Sequence, residues 1–404
     1  MLRRVLTVFL FLFTWTVAAA ETTGDRSSAD LPLDGLQTSA KRGNAMAQCE
    51  LGNRYLDGRG VPKDEAQAFA LYKKSAEQGF NVGEFCLGNM YLNGKGTTKD
   101  VPAAARWYRK AAEHGYERAA TVLGLLLEGG VGLPENLPEA VKWYKMAAVK
   151  DDPIAQRSLG ELLQYGRGAP RDLTEAAALF RRAAEHGDAR AAGDLGAFYL
   201  AGVGVPQDAT EGVKWTRQGA EGGDPGAQIN LGLAYVQGLG VPKDPAQGLQ
   251  WQKKAAAQNN AAAQNYVGEM YALGQGTAKD ETVAAEWFAK SAAQGHAQGQ
   301  LNYGTVYYFG QGVPKDGAKA REWWQKAAEQ DNHTAQANLG FVLGKGEGGP
   351  VDEVGGFYWM TLGQTAEDED GKTLRVALDK KLTAAQHLEV EKRVAAFRKA
   401  NESN

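Results

Sequence analysis

The amino-acid sequence predicts an all-α fold: a right-handed α-solenoid of about nine 36-residue helix-turn-helix repeats with terminal capping helices. Three observations predict it. Glycines 52, 88, 124, 160, 196, 232, 268, 304 and 340 fall on one phase of 36, with no insertion or deletion between them. Six and eight residues after each stand two more glycines, from Gly58 and Gly60 in the first copy to Gly346 and Gly348 in the last. Between the glycines the apolar spacing is helical, as in Ala47, Leu51 and Tyr55, four apart on one face.

The chain opens differently. MLRR supplies two cations, VLTVFLFLFTWTV is a 13-residue apolar run, and AAA precedes Glu21. That order is the signature of a secretory signal, so residues 1–20 are expected to be removed after Ala20. The run is short of the roughly 20 residues that span a bilayer, and no later stretch approaches that length. A soluble protein, periplasmic or secreted and not membrane-spanning after signal removal, is the expectation. Residues 21–43 begin as a polar segment and end as half a repeat, because Gly43 stands 36 residues before Gly79.

Nine repeats then occupy 44–362. In the first, residues 44–57 form a helix, Gly58 takes the left-handed cap, Pro62 blocks continuation, and Asp64 caps a second helix that runs to Gly79. Asp fills that cap in eight copies and Asn136 in the other. The stretch GRGVPKDEA, Gly58 to Ala66, also resembles half of a phosphate-binding loop. It lacks the third glycine of that motif, no strand precedes it, and nine such sites at strict spacing are implausible. The position five before each phase glycine is always Ala or Gly, which lets helices approach closely. On the second helices, Trp107, Trp143, Trp215, Trp251, Trp287, Trp323 and Trp359 recur in register and are expected to fill the core between stacked pairs. Residues 363–404 are expected to supply capping helices, with Thr383 and Gln386 as a capping box.

The pattern is well seen in FCLGNMYLNGKGTTKDVPAAARWYRKAAEHG, and it resembles the Sel1-like repeat, a relative of the tetratricopeptide repeat, in its exported bacterial form. The match runs from Ala47 to about Leu362, and the ninth copy loses the K-A-A end after Trp359. The resemblance implies a scaffold that binds a protein or peptide, or a cell-envelope component, on a concave face lined by first helices, in an adaptor or regulatory role. Some Sel1-like proteins bind or cleave β-lactams, so the alternative is a cell-wall-related hydrolase or ligand-binding protein.

Composition and motifs narrow the chemistry. The formal net charge is −3 with no basic block, which argues against nucleic acid. No zinc-type, thiol-redox or serine-hydrolase spacing is present, so no catalytic residue, cofactor or metal is expected and the chain does not read as an enzyme. The expected partner-binding positions are Asn53, Phe85, Asn89, Arg118, Arg157, Glu161, Arg190, Leu233, Glu269, Leu301 and Tyr308, basic in the middle and apolar towards the C terminus. Arg118, Arg157 and Arg190 together suit an acidic partner. Cys49 and Cys86 lie on neighbouring first helices. Such helices pack about 8–10 Å apart, whereas a bridge needs Cα atoms within roughly 7 Å, so one disulfide and two buried thiols both stay open.

Overall fold

The structure, a computed structural model, describes residues 32–363 and 369–402. The signal at 1–20 and most of the polar segment after it lie outside the described residues. Each joint of the repeat forms from local chemistry. Asp64 accepts a hydrogen bond from the Gln67 N–H (2.9 Å), which starts the helix Glu65–Glu77. Asp100, Asn136, Asp172, Asp208, Asp244, Asp280, Asp316 and Asp352 do the same for the second helices that follow. First helices end on a glycine in the left-handed region, at φ 73° for Gly58.

The second glycine of each joint has another task. Gly96 also has positive φ, and a Cβ there would lie 2.1 Å from the carbonyl oxygen of Glu65, at the start of the preceding repeat's second helix. Gly60, in the first repeat, also has positive φ but nothing closer than 4.0 Å, because among the described residues only the half-repeat helix Leu33–Lys41 precedes that repeat. The second glycine is therefore where one repeat seats on the last.

The helices gather into two compact units, Met1–Gln207 and Asp208–Asn404. The first holds α1 (Leu33–Lys41), α2 (Ala45–Asp57), α3 (Glu65–Glu77), α4 (Asn81–Asn93), α5 (Val101–Glu113), α6 (Glu117–Gly129), α7 (Leu137–Ala148), α8 (Pro153–Tyr165), α9 (Leu173–Glu185) and α10 (Ala189–Ala201). The second holds α11 (Ala209–Glu221), α12 (Pro225–Gln237), α13 (Pro245–Ala257), α14 (Ala261–Leu273), α15 (Glu281–Ala293), α16 (Ala297–Phe309), α17 (Gly317–Ala328), α18 (His333–Lys345), α19 (Glu353–Leu362), α20 (Glu369–Lys381) and α21 (Ala384–Glu402). Within each unit the helix pairs stack as an α-solenoid. Leu36 of α1 is fully buried against Ala47 and Leu51. At the other end Leu382, Val390 and Val394 cover Trp359, and Thr383 and Gln386 bond reciprocally at the start of α21.

The core column is one residue away from the tryptophans. Tyr72, Tyr108, Tyr144 and Phe180 in the first unit, and Gln252, Phe288, Trp324 and Met360 in the second, each lie on the phase glycine of their own repeat. A methyl group on Gly88 would stand 2.7 Å from the Tyr108 ring, so this column must be glycine for lack of room. The tryptophan column is mixed. Trp143, Trp215 and Trp359 are buried, but Trp107, Trp251, Trp287 and Trp323 are only half-buried. Each of those four carries a lysine ammonium over its ring, from Lys110, Lys254, Lys290 and Lys326 at 3.7–4.4 Å. The expectation of a tryptophan core is corrected accordingly.

Contacts between repeats are equally specific. Where a second helix carries serine, its hydroxyl donates to a carbonyl of its own first helix, as Ser75 to Ala45 O and Ser291 to Ala261 O, both 2.7 Å. In both cases the facing small residue of the next repeat is glycine: a Cβ on Gly83 or Gly299 would lie 2.3 Å from the serine Oγ. Elsewhere buried glutamines tie the joints. Gln228 donates to Ala220 O (3.1 Å) and accepts from Gln258 (2.9 Å), and Gln48, Gln264 and Gln300 accept likewise. In the second repeat that pair becomes Glu84, which is buried, with the His114 ring at 2.8 Å.

Candidate binding surfaces

The positions expected to bind a partner divide between the two units. In the first, Asn53 and Asn89 accept hydrogen bonds from the core tyrosines, Tyr72 (2.8 Å) and Tyr108 (2.7 Å). These asparagines stay partly exposed but serve the tyrosines they hold. Phe85 is buried, with its ring against Tyr108 and Tyr116, so its assignment to an open face is corrected. Tyr116 is the N-cap of the next repeat's first helix, so Phe85 packs against the neighbouring repeat.

The arginines are committed internally. Arg157 donates to Asp188 (3.0 Å) and to Glu161 (2.9 Å), and Arg190 reaches the same Glu161 oxygen at 3.3 Å. Burial opposes the charge on Arg157, but Asp188 and Glu161 outweigh it and push its pKa above the usual value. Arg118 lies half-buried near Asp152. The reading of a basic patch for an acidic partner therefore loses Arg157, whose guanidinium already has two carboxylates.

In the second unit Leu301 is buried beneath the Trp324 shelf, so it too is corrected from an open position. Leu233 is half-buried. The Tyr308 ring lies on Trp324, 5.2 Å between centroids, and its hydroxyl donates to Glu347 at 2.7 Å. Burial and the Glu347 carboxylate push the Tyr308 pKa up to about 12.

Glu269 has the most suggestive surroundings. Its Oε1 accepts from Asn265 (2.7 Å) and from Asn302 (3.1 Å), and Asn302 also donates to Asn265 Oδ1 at 2.9 Å. Two amides thus fix the carboxylate. It borders a cavity of about 360 Å³ between the seventh and eighth repeats, with Leu273, Phe288, Asn302, Thr305 and Gln311. Leu273 is 68% exposed, and Phe309, at the same place one repeat on, is 63% exposed. Together these offer an oriented acceptor beside apolar surface, which suits a chain bearing both a donor and an apolar side chain.

Sequence reading missed Leu273 and Phe309. The signal was available: each is the last helical residue before a left-handed glycine, where the helix end faces solvent. A second cavity of about 630 Å³ in the first unit mixes Lys145, Arg171 and Arg182 with Asp172 and Glu175, beside an exposed Val149. Among the described residues, no group of three or more His, Cys, Asp or Glu side chains could hold a metal ion, and no helix is long and apolar enough to cross a membrane.

Comparison with known proteins agrees with this architecture. The Sel1 repeat family matches nine times, at residues 45–80, 83–116, 118–152, 153–188, 189–224, 225–260, 261–296, 297–332 and 333–363. The chain is similar to the Sel1 repeat protein from Oxalobacter formigenes, at 30% identity over 83% of this chain and 93% of that one, with a TM-score of 0.62. It is also similar to c5321, a protective antigen present in uropathogenic Escherichia coli strains, at 30% identity over 91% of this chain and 94% of that one, with a TM-score of 0.54. No curated protein matches. Sel1 repeats typically build scaffolds for protein–protein contact rather than catalytic centres. The phase glycines, the capped second helices and these matches together make the chain a member of the Sel1 repeat family.

Proposed function

We propose that this protein is an exported scaffold that binds a protein or peptide partner through its first-helix face, as an adaptor or regulator without a catalytic step. The observation that carries the reading is the cleft at the seventh and eighth repeats, where a carboxylate fixed by two asparagines lies beside the exposed Leu273. Natural chains rarely leave large apolar side chains open at successive equivalent positions without a use for them. Export rests on the charged, apolar and small-residue order of residues 1–20.

The test is site-specific photocrosslinking from position 273 and from position 309 in cells that make the full-length chain. Position 286, an exposed glutamate on the second helix of the seventh repeat, serves as control. The expected result is one shared adduct from 273 and 309, absent from 286 and abolished by Glu269→Lys. Equal crosslinking from all three positions, or none from 273 and 309, would overturn the assignment. Fractionation of the same cells tests export, and retention of the full-length precursor in the cytoplasm would refute it.

A further inference from the structure

Cys49 and Cys86 are free thiols, the first buried and the second half-buried. They lie on α2 and α4, first helices of adjacent repeats that touch directly, and both belong to one apolar cluster with Tyr72, Leu87 and Met90. Their separation is 37 residues, one more than the repeat. That offset has a structural meaning elsewhere in the chain. Asn265 and Asn302 occupy the same two positions in the seventh and eighth repeats, and their side chains meet at 2.9 Å. The repeat geometry thus aims these two positions at each other, and in the first two repeats the residues so aimed are cysteines, packed into one apolar cluster.

We propose that Cys49 and Cys86 are a redox-active pair that closes to a disulfide joining the first two repeats. The partner oxidant is a small or protein disulfide. The thiolate of Cys86, the more accessible sulfur, attacks one sulfur of that disulfide and releases the other as a thiol. Cys49 then gives up its proton, attacks the Cys86 sulfur of the mixed disulfide, and releases the second thiol. Two protein thiols are oxidised to one bond, and one external disulfide is reduced to two thiols. In the dithiol, Cys86 and burial both push the Cys49 thiol well above its ordinary pKa, and burial persists once Cys86 is a mixed disulfide, so the second attack is the slow one. The bond would fasten the N-terminal end of the array, where a stacked repeat has the fewest neighbours.

The test uses the full-length reduced protein and glutathione disulfide. Free thiols are counted in denaturant, intact mass is measured, and the linkage is mapped by proteolysis without reductant. The expected result is a transient single glutathione adduct at Cys86, then loss of both thiols and of two hydrogen masses in a monomer, with the second step faster as pH rises. Cys49→Ser should stop at the stable Cys86 adduct, and Cys86→Ser should leave Cys49 unmodified. Hydrogen exchange across α2 to α5 should slow in the oxidised wild type. Two persistent free thiols, two glutathione adducts, or a bond found only between chains would each overturn the proposal. The wild-type map decides the matter even where a serine variant fails to fold.

Discussion

The sixth and eighth repeats belong to one unit and solve the same packing problem in opposite ways. The eighth sets Trp324 on Gly304, with Ala320 one turn earlier. The sixth sets Gln252 on Gly232, with Gly248 one turn earlier. The two side chains even share a bond: Trp324 Nε1 donates to Leu301 O and Gln252 Nε2 to Ile229 O, equivalent carbonyls, each at 3.1 Å. Spacing differs, however. A methyl on Gly248 would lie 2.8 Å from Gly232 O and 2.7 Å from Val236, so the two backbones touch. In the eighth repeat the ring holds the helices apart and an alanine fits. The rule runs along the chain. Ala68, Ala104, Ala140, Ala176, Ala284 and Ala320 precede aromatic plugs, whereas Gly212, Gly248 and Gly356 precede Thr216, Gln252 and Met360. Removing the ring lets the helices close, and only glycine permits the closure. The closed form has a cost, since Gln252 Oε1 is buried without a partner.

The largest expected effect tests which column is the core. Trp324→Ala should destabilise the eighth repeat by about 3–5 kcal/mol, and the adjacent, half-buried Trp323→Ala by less than half as much. Hydrogen exchange of α16 and α17 amides measures both, and equal losses would break the comparison. Next comes a double-mutant cycle on the spacing. Gln252→Phe and Gly248→Ala should each cost roughly 1–3 kcal/mol alone, because the closed pair cannot admit them. Together they recreate the Ala284 and Phe288 pattern of the seventh repeat, so the double variant should recover at least about 1 kcal/mol of the summed loss. Strict additivity would show that the two positions do not set the spacing.

A smaller cycle carries the same logic across a repeat boundary in the other unit. Gly83→Ala should cost about 1–2 kcal/mol by crowding Ser75, and Ser75→Ala should relieve most of that. Chemical denaturation of the four proteins reads the coupling. The smallest effect is pH-dependent. His296 caps α16 by accepting the Gly299 N–H at Nδ1 (3.1 Å), which only the neutral ring can do. Burial lowers its pKa, with Glu269 partly opposing the shift. The unfolded chain therefore binds this proton more readily than the folded one. The cap's contribution is complete above the ordinary histidine value of 6.5 and declines as pH falls through it towards the lower folded value. Melting curves of wild type and His296→Asn, the residue that caps α14 and α18, should diverge below that point and agree above it.

Much of this fold was legible because its joints are written in residues with few alternatives. Asp at the cap and glycine at positive φ leave little choice, so the helix limits followed to within a residue or two. The core column was harder to read. It tolerates Tyr, Phe, Trp, Met, Thr and Gln, so no single residue type marks it, while the neighbouring tryptophans drew the assignment to half-exposed rings. The visible trace was the alternation of Ala and Gly one turn earlier. Phe85 and Leu301 were misread for a related reason. Amphipathic spacing on one helix identifies its open face only when a single neighbour covers it, and a helix inside a stack is covered on several sides. Arg157 could not be placed because its carboxylate partner Asp188 is a cap from the next repeat.

The serine–glycine pairs bear on how such an array can be recombined. Ser75 with Gly83 and Ser291 with Gly299 are matched across a boundary, so the inherited unit of compatibility is not the 36-residue repeat. A crossover that joined a serine-ending helix to an alanine-bearing successor would produce a steric mismatch even though both parents fold. Module exchange in this lineage should therefore preserve the interval from the end of one second helix into the first helix that follows. A designer shuffling these repeats would do well to cut within the pair of helices and leave the seam between repeats intact.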